Sequence, residues 1–271
     1  MFRRVFHLLL AWYAIWFLVG LVVLAIPYES PVGNFEDLLF MVLAASVIFL
    51  DATRRIGWAK TLAAFLWVAV ASGAVELLGA LTGFPFGTYH YTEKFGPQIA
   101  GILPWAIPLA WWVVVYPLYL LIGTVAQGRR GSSFLIVLGV GLAATAIDFA
   151  LEPVATQVRG YWLWESGGAY YGVPWRNFVA WFAVAVMIAG VIHYFGGRSI
   201  LEGYHAAGSL FLPLSVIASV LLSFLGAGLV NGLWLASFWT TFLVMVFGVL
   251  IVRFAWPRRE VFLLEQIGRY R

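Results

Sequence analysis

The sequence predicts an all-α membrane protein, a polytopic helix bundle of about eight transmembrane helices. Three observations lead to this fold class. Hydrophobic residues make up 63% of the 271 residues and charged residues only 10%, with a mean hydropathy of +0.94, whereas soluble domains are about 45–50% apolar. Apolar runs of about 20 residues, long enough to cross a bilayer, recur along the chain. Basic residues cluster between alternate runs.

The apolar runs predict the helices in chain order. The first, Val5–Ile26, is longer than the core of a signal peptide, which is about 7–15 residues, and we expect it to be retained. The other seven are predicted at Glu36–Ala52, Trp58–Leu81, Trp105–Ala126, Ser133–Leu151, Trp175–Phe195, Ala207–Leu225 and Leu233–Phe254. We expect residues 1–271 to form a single integral membrane domain, in which residues 254–271 are a cytoplasmic interfacial tail.

The basic residues predict the orientation of this bundle. If the N-terminus is cytoplasmic, only Lys94, Arg159 and Arg176 of the 16 Lys and Arg residues fall outside, and the other thirteen fall inside. Such a bias is typical of multi-pass membrane proteins. It predicts a cell (plasma) membrane protein with both termini in the cytoplasm. It also explains the net charge of +4 without nucleic-acid binding.

Several classes of chemistry lack the residues they need. The chain has no cysteine, which excludes disulfides, thiolate catalysis and cysteine-ligated clusters. Its four histidines form no HxxxH or HxxHH box of the kind that holds two metals in membrane oxygenases. There is no phosphate-binding glycine loop and no basic run in the outer loops for a diphosphate. We therefore expect no metal and no cofactor, and a substrate that is neutral and apolar.

Predicted helices three and four resemble helices five and six. The segments "VELLGALTGFPFGTYHY" and "GILPWAIPLAWW" align with "IDFALEPVATQVRGYWLW" and "GVPWRNFVAWF". Glu76 then matches Asp148, and the Pro-Trp pair at residue 104 matches the pair at residue 174. This pattern predicts an internal parallel repeat, and binding sites often lie between such halves.

Three acids lie inside predicted helices near their outer ends. These are Glu76, Asp148 and Glu152, and the last two share a helix face because they are four residues apart. Small neighbouring residues predict that all three point into the bundle. An ionisable group in a membrane costs at least ~2.5–3.5 kcal/mol and is a functional candidate. We assign the three as catalytic candidates; the alternative is that they only tie helices together through cations or tyrosine hydroxyls.

Other acids have simpler interpretations. Asp51 stands beside Arg54 and Arg55 at the inner end of helix two and is expected to form an interfacial ion pair. Glu36 and Asp37 are expected to line the first outer loop and to help set the orientation.

The two outer loops of the repeat are rich in aromatic residues. One interpretation is an aromatic belt at the lipid headgroups, and the other is a π-lined pocket that stabilises a cation. In the second case we expect the two loops to line the same pocket. The candidate substrate-binding residues are Phe86, Tyr89, His90, Tyr91, Arg159, Tyr161, Trp162, Trp164, Tyr171 and Asn177.

The acids and loops carry a family resemblance. "ELLGALTGFPFGTYHY", "GILPWAIPLAWW", "DFALEPVA" and "YYGVPWRNFVAWF" resemble the membrane carotenoid-biosynthesis family that includes the CruF-type carotenoid hydratases. The resemblance covers predicted helices two to six. It implies hydration of the terminal double bond of an acyclic carotenoid ψ-end without a redox cofactor, on substrates from lycopene and γ-carotene to C50 precursors of bacterioruberin. It also implies water and membrane lipid as partners, with other carotenoid-pathway enzymes as candidates.

The three acids suit this chemistry. Adding water to an alkene starts with protonation to a tertiary carbocation, and a carboxyl group buried away from water keeps its proton more readily than a solvated one. A second carboxylate can orient the water. We predict that Asp148 donates the proton, that Glu76 orients the water and that Glu152 supports them. The exchanged roles of Asp148 and Glu76 stay open.

Two other functions fit the same sequence. A carotenoid cyclase of the lycopene type would form the same carbocation and let an internal alkene attack it. A non-enzymatic lipid or carotenoid carrier, or a proton-coupled transporter, would use the acids as a proton relay. The cyclase product would be isomeric with its substrate, and the carrier would change no substrate.

Overall fold

The computed structural model describes residues 2–23, 35–126, 132–207 and 210–255. Long helices fill most of these ranges. They are α1 (Phe2–Val23), α2 (Glu36–Ile56), α3 (Trp58–Thr82), α4 (Ala106–Ala126), α5 (Ser132–Val154), α6 (Trp175–Ala207), α7 (Phe211–Val230) and α8 (Trp234–Ala255).

Seven of these helices are long and apolar enough to cross a membrane, which confirms the predicted polytopic helical bundle. The helix that falls short is α2, because its 21 residues include five charged ones. Two of them, Asp51 and Arg55, pair at 2.7 Å. The predicted ion pair is confirmed and is buried inside the bundle, and its position at the membrane interface stays a prediction. An eighth crossing by α2 stays a prediction.

The predicted helix ends differ from the observed ones near glycines and tight turns. A π-helical turn, Ala155–Arg159, follows α5, and α6 continues past a break at Gly197. Helix α7 runs five residues beyond the predicted end. Gly228 in this extra turn lets α8 approach, since a Cβ there would lie 2.8 Å from Ser237 Oγ. The predicted end of the first helix, residues 24–26, and the tail from residue 256 lie outside the described residues.

Helix α4 lies at the centre of the bundle. It packs against α2, α3, α5, α6 and α7, and Trp112, Tyr116 and Tyr119 on it are fully buried. Helix α1 is the least buried of the seven apolar helices. Residues of both α1 and α4 line a cavity inside the bundle.

The two loops of the predicted repeat meet in a small antiparallel sheet. Strand β1 (Tyr89–Tyr91) follows α3, and β4 (Trp162–Trp164) follows α5; a second pair, β2 (Gln98–Ile99) with β3 (Leu103–Pro104), lies between them in the chain. In the β1–β4 pair, residue 89 lies opposite 164 and residue 91 opposite 162. We call this side of the bundle the loop end.

Candidate functional site

Glu76 is buried at the loop end of α3, with 5% of its surface exposed. Three side chains donate hydrogen bonds to its carboxyl group. The hydroxyls of Tyr89 and Tyr91 donate to Oε2 at 2.9 and 2.7 Å, and Trp111 Nε1 donates to Oε1 at 2.9 Å. We call Tyr89, Tyr91 and Trp111 the first donor set. Because of these bonds, both oxygens of Glu76 are occupied as acceptors.

The local sequence explains the first donor set. Alternate residues of a strand share a face, so Tyr89 and Tyr91 both point toward α3. Gly79 leaves room for them, since a Cβ there would lie 2.7 Å from the Phe86 ring and 2.9 Å from the Tyr89 hydroxyl. Burial, and then the charge of Glu76, raises the pKa of both tyrosine hydroxyls. The hydroxyls therefore keep their protons and act as donors.

Glu152 has a matching set of donors in the other half. It is 1% exposed. The indole nitrogens of Trp162 and Trp164 donate to its Oε2 at 3.3 and 3.2 Å, and Asn177 Nδ2 donates to its Oε1 at 3.0 Å. We call Trp162, Trp164 and Asn177 the second donor set. The two tryptophans share the inward face of β4, as the two tyrosines do on β1.

Asp148 differs from both glutamates. It is fully buried, one turn before Glu152 on α5. Asn177 Nδ2 donates to its Oδ2 at 2.8 Å and so bridges the two acids of α5. Its other oxygen, Oδ1, has no hydrogen-bond partner among the described residues. Asp148 therefore differs from both glutamates in having a buried carboxyl oxygen that no described donor occupies.

The hydrogen-bond pattern groups Glu76 with Glu152. Each glutamate is followed by a strand whose first and third residues donate to it, and each takes a third donor from the next helix. This grouping is shifted by four residues from the match of Glu76 with Asp148 that the sequence suggested. The internal repeat itself stays a prediction.

A cavity of about 360 Å³ lies at the loop end between α1, α2, α4, α5 and α7. Asp148 lines it, and Glu76 and Glu152 do not. The volume is near the lower limit of ligand pockets, about 300–1,000 Å³, so the cavity suits one end of a long molecule. Much of its wall is aromatic, including Trp16, Phe40, Phe95, Trp162, Trp181 and Phe224.

One aromatic pair separates Glu76 from the cavity. The rings of Trp111 and Trp181 lie 4.3 Å apart. Trp181 lines the cavity, and Trp111 donates to Glu76. Glu76 therefore stands behind this pair and supports the wall from outside.

A second polar group also lines the cavity. It comprises Glu36 and Asp37 in the first turn of α2, together with Arg159 and Tyr161. Burial, and then the charge of Asp37, raises the pKa of the Tyr161 hydroxyl well above its usual value. Arg159 interacts with Tyr161 and Asp37 as well. The sequence predicted only that Glu36 and Asp37 set the orientation.

The structure distributes the predicted binding residues over three places. Arg159, Tyr161 and Trp162 line the cavity. Tyr89, Tyr91, Trp164 and Asn177 hold the two glutamates, and Phe86 packs edge-on against Tyr89. His90 points away from the bundle, with its Nδ1 3.9 Å from Glu165 on the exposed side of the sheet. The Tyr171 hydroxyl accepts a hydrogen bond from the backbone N–H of Ala236.

Three residues at the site were not assigned from the sequence. Trp111 and Trp181 form the wall in front of Glu76, and Asp37 lines the cavity. The two tryptophans occupy matching positions after the Pro-Trp pairs, which was a usable signal. Asp37 carries no such signal, because an acid in the first turn of a helix is common.

Comparison with known proteins identifies the family. The model of the carotenoid biosynthesis protein family matches residues 36–247, more than half of the chain. The chain belongs to this family. The matched region begins at the first residue of α2 and ends within α8, so it contains all three acids and both donor sets. The resemblance predicted from the sequence is confirmed at this level.

A relative with an assigned activity covers part of the same region. Bisanhydrobacterioruberin hydratase of Haloarcula japonica is 30% identical over 165 residues, which are 60% of this chain and 53% of the relative. The chain thus matches about half of the length of that relative. No solved structure matches the chain.

Proposed function

We propose that the protein is a cofactor-independent carotenoid hydratase of the 1,2-hydratase type, a hydro-lyase that adds water across the terminal double bond of an acyclic carotenoid ψ-end. The observation that carries the proposal is Asp148. This acid is fully buried, lines an apolar cavity and has one oxygen without a hydrogen-bond partner in the described part of the chain. The name of the relative supports the same reaction class.

Asp148 is the proposed proton donor. Its carboxyl proton passes to the less substituted carbon of the terminal alkene, and the π electrons form the new C–H bond. A tertiary carbocation remains on the neighbouring carbon. Trp162 and Trp181 line the cavity, and aromatic faces attract a cation within about 6 Å. Water then captures the cation and loses a proton, which leaves a tertiary alcohol.

The two glutamates hold the wall of the site in this proposal. Each accepts hydrogen bonds from three donors, two on one oxygen and one on the other, and we assign both to holding the site rather than to proton transfer. Glu152 also shares the amide of Asn177 with Asp148 and thereby fixes the position of the acid. The role of water positioning, which the sequence gave to Glu76, then falls to a group that lines the cavity.

The location of the site suits the two reactants. The carotenoid enters from lipid and the water from the surface, and the cavity lies at the loop end, near a helix terminus. The bias of basic residues favours this end as the outer face of the cell membrane, with both termini in the cytoplasm. Reporter fusions after Arg130 and after Arg271 test the orientation; an external signal at either would contradict it.

The test uses purified protein in detergent with either lycopene or bisanhydrobacterioruberin, followed by mass analysis of the pigments. We expect a product heavier by one water for each end that reacts. A control preparation carries Asp148→Asn.

Two other results of the pigment analysis would indicate the alternative functions. A product isomeric with its substrate would indicate a cyclase. Pigment that binds and is recovered unchanged would indicate a carrier. Either result would overturn the hydratase proposal.

A further inference from the structure

We propose that Asp37 is the base of the site: it orients the attacking water and takes its proton. This inference rests on the proposed hydratase function and adds to it the group that completes the reaction. It replaces Glu76 in that role.

Carboxyl groups of α2 and of α5 line the same cavity. They include Asp148, and Asp37 with its neighbours Arg159 and Tyr161. The rest of the wall is formed largely by apolar and aromatic side chains, such as Phe40, Val114 and Trp181. An alkene in this cavity shares it with one group for protonation and a second group for water, the two that addition of H⁺ and water requires.

The neighbours of Asp37 suit a carboxylate that accepts a proton. Burial disfavours the charged form of Asp37, whereas the Arg159 cation and the hydrogen bond from the Tyr161 hydroxyl favour it. Asp37 also lies in the first turn of α2, where the helix dipole favours negative charge. Asp148 has one donor in common with Glu152 and no cation paired with it among the described residues.

Asp37 is also better placed for water than Asp148. Its side chain is half-buried and that of Asp148 is fully buried, so Asp37 can exchange protons with the surface. Glu76, by contrast, is separated from the cavity by Trp111 and Trp181. The geometry therefore favours Asp37 as the group that contacts the attacking water.

In the capture of water, each bond that forms is matched by one that breaks. After Asp148 has protonated the alkene, a lone pair of the water oxygen forms the C–O bond to the tertiary cation. One O–H bond of that water breaks, and its proton goes to Asp37. Asp37 then releases this proton to the surface, and water admitted to the cavity returns a proton to Asp148. The net reaction is alkene plus water to tertiary alcohol, without an oxidant or reductant.

The test separates protonation from water capture by running the reaction in D₂O with bisanhydrobacterioruberin and purified protein. If capture is blocked, a cation that has gained deuterium can lose a proton again and return as labelled alkene. We expect Asp37→Asn to lower hydration per folded protein by about 10²–10⁴-fold, the usual effect of a general base. Deuterium should still enter the terminal alkene of recovered substrate. Glu93→Gln, a change at an exposed acid of the outer loop, is the matched control and should behave as wild type.

Several outcomes would overturn the inference. Hydration at the wild-type rate in Asp37→Asn would do so, as would loss of hydration and deuterium exchange together, since that indicates a structural role. Should Asp37→Asn fail to fold, Asp37→Glu is measured instead: it keeps a carboxylate and should retain both alcohol and exchange, and loss of both would count against the inference. If the wild type forms no alcohol and exchanges no deuterium, the proposed function itself fails, and the inference falls with it.

Discussion

The two halves of the loop end hold a glutamate in the same way but differ one helix turn before it. In the first, α3 and β1 hold Glu76 with three donors; in the second, α5 and β4 hold Glu152 with three donors. One turn before each glutamate, however, the first half has Ser72 and the second has Asp148. Ser72 is buried and donates to the Val68 carbonyl of its own helix at 2.8 Å.

This difference assigns separate tasks to acids that look alike in the sequence. A buried carboxylate is tolerated when donors occupy its oxygens, and that condition is met by both glutamates. A buried carboxyl oxygen without a hydrogen-bond donor lowers the stability of the protein, and such oxygens are rare outside functional sites. Asp148 has such an oxygen, and it lines the cavity. In the proposed function, the shared frame holds the sheet in place and the additional acid donates the proton.

The largest effect is expected from a change that removes the acid that the first half lacks. Asp148→Asn removes the proton donor and keeps nearly the same volume. We expect hydration per folded protein to fall by about 10²–10⁴-fold, the usual worth of general acid catalysis. The measurement is alcohol formed per folded molecule, with Glu93→Gln as control. Turnover near that of the control would mean that the difference between the halves has no catalytic meaning.

The glutamates should respond in the opposite way. Glu76→Gln and Glu152→Gln each place an amide NH₂ where the wild type offers only acceptors, so at least one buried donor loses its partner. The cost of such a group is about 1–3 kcal/mol. We expect a lower yield and a lower melting temperature in detergent, with turnover per folded molecule within about tenfold of wild type. A loss as large as that of Asp148→Asn would remove the distinction between the acids.

A smaller and more local effect is expected at Gly79. Gly79→Ala would press a methyl group against Phe86 and Tyr89 and loosen the first donor set, at a cost of about 1–3 kcal/mol. Gly190→Ala in α6 is the matched control. Apart from the neighbouring backbone of its own helix, no atom lies within 4 Å of a Cβ added there. Thermal unfolding of the two variants is compared. Equal melting temperatures would mean that the donor set does not depend on the close contact.

The smallest effect is expected at His90. The sequence made it a binding candidate, but its side chain is 58% exposed and faces away from the cavity. An exposed pair such as His90 with Glu165 contributes little to stability. We expect His90→Ala to leave hydration within about twofold, whereas general acid–base residues change rates by about 10²-fold or more. A large fall would bring the outer face of the sheet into the site.

Much of this arrangement could be read from the sequence, and the rest depends on contacts between distant segments. Apolar length predicted the long helices, and the small residues around Glu76 and Asp148 predicted that both point inward. These features are set by local composition and spacing. The two aromatic loops meet, as expected of a shared pocket, but Tyr161 and Trp162 line the cavity and Tyr89, His90 and Tyr91 do not.

The number of donors on each acid could not be predicted. Trp111 and Asn177 lie 35 and 25 residues from the glutamates they bind, on other helices, so their contacts depend on tertiary packing. The place of Asp37 in the same cavity as Asp148 depends on how α2 packs beside α4. Only the packed bundle therefore distinguishes an acid with a free oxygen from two acids without one.

Infrared spectroscopy of the carboxyl groups tests the central claim most directly, because a protonated carboxyl absorbs at a different frequency from a carboxylate. Wild-type protein is compared with Asp148→Asn, Glu76→Gln and Glu152→Gln in the same detergent. We predict a band of a buried protonated carboxyl that disappears in Asp148→Asn and persists in both glutamate variants. A band that survives in Asp148→Asn and is lost in either glutamate variant would place the proton on a donor-occupied glutamate and contradict the account.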